Sequence, residues 1–154
     1  MNKRIWIYLC DKKIVGDLLN SIANECTLFI NEWNAHGSKL DSSFKILHEH
    51  FLVFEVNEEL HQASGCSIDK QLQLVKKLEK DFNISLLNRL LVAYRLNNEI
   101  IVKTAGEVKQ AIKTNLLSTD TITFDITLSD ARQLEHEFEK PISATWLMPK
   151  SLSI

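Results

Sequence analysis

Three features of this chain predict an α+β fold in which helices pack on a mixed or antiparallel sheet. Apolar residues recur at three- and four-residue steps over two long segments. Short runs rich in Ile, Val, Phe, Trp and Tyr lie between them, and Asn or His pairs sit where neighbouring runs must reverse. At 154 residues and 45% hydrophobic content, the chain suffices for a single domain, residues 1–154, with a full core of its own.

The run Ile5-Trp6-Ile7-Tyr8-Leu9-Cys10 is bounded by charges and suits a buried first strand over residues 4–10. Over residues 12–33, Val15, Leu18, Leu19, Ile22, Cys26, Phe29, Ile30 and Trp33 fall on one helical face, and Gly37 is expected to supply the left-handed C-cap. Phe44-Lys45-Ile46-Leu47 and Phe51-Leu52-Val53-Phe54-Glu55-Val56 read as two strands with His48-Glu49-His50 as a tight connection. The second is apolar on both faces and is predicted to be central, covered on both sides.

After a polar loop over residues 57–63, Ile68, Leu72, Val75, Leu78 and Phe82 mark a second amphipathic helix that ends before Asn83. The runs Leu90-Leu91-Val92-Ala93-Tyr94 and Ile100-Ile101-Val102 flank Asn97-Asn98, and asparagine tolerates the positive φ of a hairpin turn. Gly106 opens a short helix with Val108, Ile112 and Leu116. Residues 121–128 alternate as a half-exposed strand, and Ser129 caps a final helix that Pro141 stops. The first six elements follow the β-α-β-β-α-β order of a ferredoxin-like core, with a C-terminal strand and helix extension.

With 18 basic and 20 acidic residues there is no global positive field, so nucleic acid is not an expected partner. The three cysteines, Cys10, Cys26 and Cys66, are odd in number and widely spaced, which fits free thiols in a reducing compartment. The first apolar run stops at Asp11-Lys12-Lys13 without a small-residue cleavage site, and no run approaches the roughly 20 residues of a membrane span. The expected location is cytoplasmic, with no membrane partner.

One segment carries a hint of chemistry. In Ala63-Ser64-Gly65-Cys66-Ser67-Ile68-Asp69 a thiol lies among helix-starting residues, where unpaired amides and the helix dipole favour a thiolate or an anion. This segment, with Trp33-x-x-His36-Gly37-x-x-Leu40, Arg89 ahead of Leu91-Val92-Ala93-Tyr94, and Trp146-Leu147, resembles a family of small uncharacterised bacterial proteins often labelled "ABC transporter ATPase". The resemblance spans nearly the whole chain. Its label implies an ATPase, but a P-loop of the form G-x-x-x-x-G-K-[ST] is missing: Gly16, Gly37, Gly65 and Gly106 are the only glycines and none fits it.

Cys66, with His36 or His61 as base, is the candidate nucleophile; the alternative is a small buried side chain, unreactive until unfolding. Asp69 in the same turn repels a thiolate and favours the alternative. A phosphatase loop is excluded, because the sixth residue after Cys66 is Leu72 rather than Arg. Ser64, Gly65 and Ser67 can hold an anion or simply cap the helix, and Trp33 and Asp69 join them as candidate ligand-binding residues. Arg89 is either an ion-pair partner of Asp69 or Glu55 or an anion holder. His48 and His50 share a face only on a continuous strand, so no metal or other cofactor is expected.

These residues point to a binding protein before an enzyme, with an anionic-ligand pocket near the His36 loop and the helix start at residues 64–69. The partner is expected to be a small anion or another protein, and a homodimer stays open. The rival is a thiol-dependent enzyme using Cys66 and His36.

Overall fold

The computed structural model describes residues 2–148 and is α+β, with antiparallel sheets. In chain order the elements are β1 (Lys3–Leu9), α1 (Gly16–Glu32), β2 (Asn34–Ala35), β3 (Ser38–Lys39), β4 (Asp41–Leu47), β5 (Phe51–Asn57), α2 (Gly65–Phe82) and β6 (Leu91–Leu96). There follow β7 (Glu99–Thr104), α3 (Ala105–Lys113), β8 (Ile122–Phe124), α4 (Gln133–His136), β9 (Glu139–Pro141) and a 3₁₀ turn, Ile142–Ala144. Among the described residues no helix is long and apolar enough to cross a membrane.

β5 lies between β1 and β4, antiparallel to both, and is the doubly covered strand its sequence predicts. The period-2 alternation of a strand sends Leu52 and Phe54 toward α1 and α2, and Phe51 and Val53 toward a second sheet of order β7-β6-β8-β9. All four are fully buried. The far face of the second sheet, with Tyr94, is covered by Val108 and Ile112 of α3. Four layers result: a helix pair, a three-stranded sheet, a four-stranded sheet and one helix.

The ferredoxin-like core is incomplete. The order β1-β5-β4 and its antiparallel pairing are those of three strands in such a core, but β6 pairs with β7 and β8 instead of closing on β1. The outer edge of β1 is taken by residues 129–131: the Ile5 amide donates to the Ser129 carbonyl at 3.0 Å, and the Ala131 amide to the Lys3 carbonyl at 2.9 Å. This pairing is why the predicted final helix shrinks to the single turn α4 and gives way to β9, which carries Pro141. The predicted strand over residues 121–128 is likewise cut to β8. The Asp125 carboxylate accepts the Thr127 amide at 2.9 Å and turns the chain out of the ladder.

Three helix boundaries also differ from expectation. α1 starts at Gly16, not Lys12, because the Ile14 amide is drawn to the Glu49 carbonyl at 2.7 Å and Gly16 then takes φ +58°. Gly37 is no helix cap. With His36 it forms the two positive-φ positions, +52° and +80°, of the hairpin joining β2 and β3. α3 ends at Lys113, Asn115 turns the chain at φ +60°, and Leu116 is exposed while Leu117 is buried in its place.

Candidate functional site

Ser64 caps α2 in a reciprocal box: the Ser67 amide donates to Ser64 Oγ at 3.1 Å, and the Ser64 amide to Ser67 Oγ at 2.7 Å. Both side chains are therefore committed to starting the helix. Trp33 is buried and donates its indole N–H to the Ser67 carbonyl at 2.8 Å, while packing on Trp6, Phe29 and Phe54. It clasps the end of α1 to the start of α2 and is core, not ligand surface.

Gly65, Cys66 and Asp69 are exposed, and so is His36 on its hairpin turn. Cys66 is thus not the buried side chain its loop position suggests. Nor is it a paired nucleophile: among the described residues the cysteine side chain with a hydrogen bond is Cys10, to Asp11, and Cys66 has no imidazole partner. Neither a cleft of about 610 Å³ nor a pocket of about 290 Å³ is lined by His36, Ser64, Gly65, Cys66, Ser67 or Asp69. The smaller pocket takes in His61, which lies beside Leu60 rather than beside a thiol.

The larger cleft opens where the two sheets part. One wall is β1 at Ile7 and Leu9; a second is the loop over residues 86–89 and the start of β6; a third comprises β8 and residues 125–127, with Lys140 and residues 144–147 closing it. A volume of about 610 Å³ lies within the roughly 300–1,000 Å³ of small-molecule sites. Of the residues singled out as functional from sequence, Arg89 alone reaches it.

Arg89 is delivered by a pinned loop. A single Glu79 carboxylate oxygen accepts the Leu86 and Leu87 amides at 2.8 and 3.0 Å, and Asp11 accepts the Ser85 amide at 2.7 Å. Ile84 and Leu86 are buried beneath it. The Asn88 side-chain oxygen accepts the Leu90 amide at 3.0 Å, so the turn that carries Arg89 is internally fixed. Arg89 pairs with neither expected partner: Glu55 faces Lys3 at 4.0 Å, and among the described residues no carboxylate lies within salt-bridge distance of its guanidinium.

Across the cleft, Lys140 Nζ lies 2.8 Å from Asp125. Partial burial opposes the charged form of Asp125, but hydrogen bonds from Lys140 and Thr127 outweigh it and hold the carboxyl below its usual range. The same bond raises the Lys140 ammonium. The charged lining is then Arg89 and Lys140 against Asp125, a net of +1 (two cations less one carboxylate) in a chain of net charge −2. Trp146 stands at the rim with its ring exposed, and Lys109 Nζ is 5.1 Å from the ring centroid.

His48 and His50 diverge in their turn, as the connection reading requires. His48 packs against Phe124 and Phe138, while buried His50 reaches the Cys10 carbonyl at 3.2 Å. Among the described residues no group of three or more His, Cys, Asp or Glu could hold a metal ion.

Asp125, Thr127 and Lys140 were not legible as site residues. The Asp-x-Thr spacing signals a turn, but nothing local says that the turn faces a cleft. No family model, curated protein or solved structure matches the chain.

Proposed function

We propose that this is a binding protein whose ligand, a small organic anion, occupies the cleft bearing Arg89, rather than the helix start at residues 64–69. The observation that carries the reading is an exposed guanidinium, without a carboxylate partner among the described residues, on a rigid loop beside a cavity of ligand size and net positive lining. An arginine so presented offers a planar fork of donors that matches a carboxylate or phosphate, and fixing its loop beforehand lowers the entropy cost of binding.

The thiol-enzyme alternative has support in the exposure of Cys66, but among the described residues no imidazole is hydrogen-bonded to the thiol, and Cys66 lines neither the cleft of about 610 Å³ nor the pocket of about 290 Å³. The cytoplasmic location belongs to the same reading and is supported by three free thiols. So does membership of the bacterial family that the sequence motifs resemble, without its ATPase label. Asp69 is exposed one turn beyond Gly65 in α2, just past the first turn in which the sequence predicts it, and still adds negative charge near the helix start.

The test is an amide-resonance titration with 2-naphthoate, on wild type and on Cys66→Ser. The proposal expects saturable shifts at residues 86–93, 123–127 and 140–147 in both proteins. Shifts confined to residues 36 and 64–69, or abolished by Cys66→Ser, would overturn it.

A further inference from the structure

We infer that the ligand is an aromatic oxyanion, its ring laid against Trp146 and its charged group held at Asn88 and Arg89; this rests on the cleft reading above. The first observation is the contrast between two tryptophans. Trp33 is 1% exposed, but Trp146 is 64% exposed in a segment that is otherwise anchored. Ile142 and Leu147 on either side are 0% and 2% exposed. Between them the Thr145 amide donates to the Ile142 carbonyl at 2.9 Å, and the Leu147 amide to Thr145 Oγ1 at 3.2 Å. A large apolar ring is thus held outward at a cleft rim by an anchored turn, which suits a preformed stacking platform.

The second observation is the inventory of donors. The Thr123 hydroxyl is spent on the Lys140 carbonyl, that of Thr127 on Asp125 and that of Thr145 on the Ile142 carbonyl. Lys140 is engaged by Asp125. The lining side-chain donors with no protein partner among the described residues are the Arg89 guanidinium and the Asn88 side-chain NH₂, adjacent on one turn, and the indole N–H of Trp146 at the rim. Of these only Arg89 carries a charge, so an oxyanion is drawn to the turn at Asn88 and Arg89, and the remainder of the cleft, with Leu86, Leu91 and Ile126, takes the apolar body.

Calorimetric titration with 2-naphthoate, 2-naphthamide, octanoate and inorganic phosphate tests this on wild type, Arg89→Met and Trp146→Leu. Both altered side chains are exposed, and circular dichroism checks that the variants fold. On wild type, 2-naphthoate should bind at least about tenfold more tightly than the other three probes. Each substitution should weaken it about tenfold, as loss of a charged or stacking contact does. Octanoate matching 2-naphthoate with Trp146→Leu silent, or 2-naphthamide matching it with Arg89→Met silent, would overturn the ligand class while leaving the cleft as the site. No binding of any probe up to about 5 mM would remove the cleft reading and this inference with it.

Discussion

Gln71 and Tyr8 show how a polar pair is tolerated in this core. Gln71 is fully buried, its Oε1 accepts the Tyr8 hydroxyl, and its Nε2 has no hydrogen-bond partner among the described residues. Tyr8→Phe removes the bond from Tyr8 to the Gln71 amide and should cost about 1–3 kcal/mol, whereas adding Gln71→Met should recover most of the loss, because removing both partners is nearly neutral. Urea titrations of the two variants check this; an additive loss would contradict it.

Burial pushes the Tyr8 hydroxyl from 10.0 up to about 12, so the folded state holds that proton more tightly than the unfolded chain. The stability it contributes is complete below pH 10 and is lost as pH rises toward about 12. Tyr8→Phe should therefore flatten the alkaline limb of the stability curve. The thiols divide in the same way: burial raises Cys10 to about 11 and Cys26 to about 12, while Cys66 is exposed. A thiol reagent should modify one cysteine in the native protein and none in Cys66→Ser. This reverses the unreactive Cys66 that the sequence suggests, since a cysteine set between Gly65 and Ser67 where a loop enters a helix does not reveal which side of the helix start faces solvent.

α2 is the element whose parts separate most cleanly. Its cap and its C-terminal Asn83, at φ +52°, were legible because capping serines and a left-handed asparagine act locally. Its buried face was only half legible: Val75 and Leu78 are fully buried, but Ser67 and Gln71 are buried where Ile68 and Leu72 were expected, because Trp33 and Tyr8 supply partners from other elements. Leu78→Ala should thus cost about 2–5 kcal/mol and half-buried Leu72→Ala distinctly less. Ser64→Ala should cost about 1 kcal/mol, and denaturant midpoints rank all three. The hairpin turns at His36-Gly37, His48-Glu49 and Asn97-Asn98 all take positive φ, and the first is the one the sequence does not signal as a turn between strands. Gly37 was misread because a glycine after a helical stripe serves equally as helix cap or hairpin turn.

At the scale of the whole molecule, what escaped the sequence was pairing at a distance. The short local signals of strand and helix located most of the elements, but not the capture of β1's outer edge by residues 129–131, which diverts β6 into a second sheet. That diversion opens the cleft between the sheets, where the loop pinned by Glu79 presents Arg89 opposite the Asp125–Lys140 pair. The candidate site was legible only in Arg89, because its other members come together from segments far apart in the chain. The most direct measurement is a crystal structure of the protein soaked with 2-naphthoate. The account predicts ordered density in the cleft, with the carboxylate on Arg89 and the ring against Trp146; density at residues 64–69 with the cleft empty would contradict it.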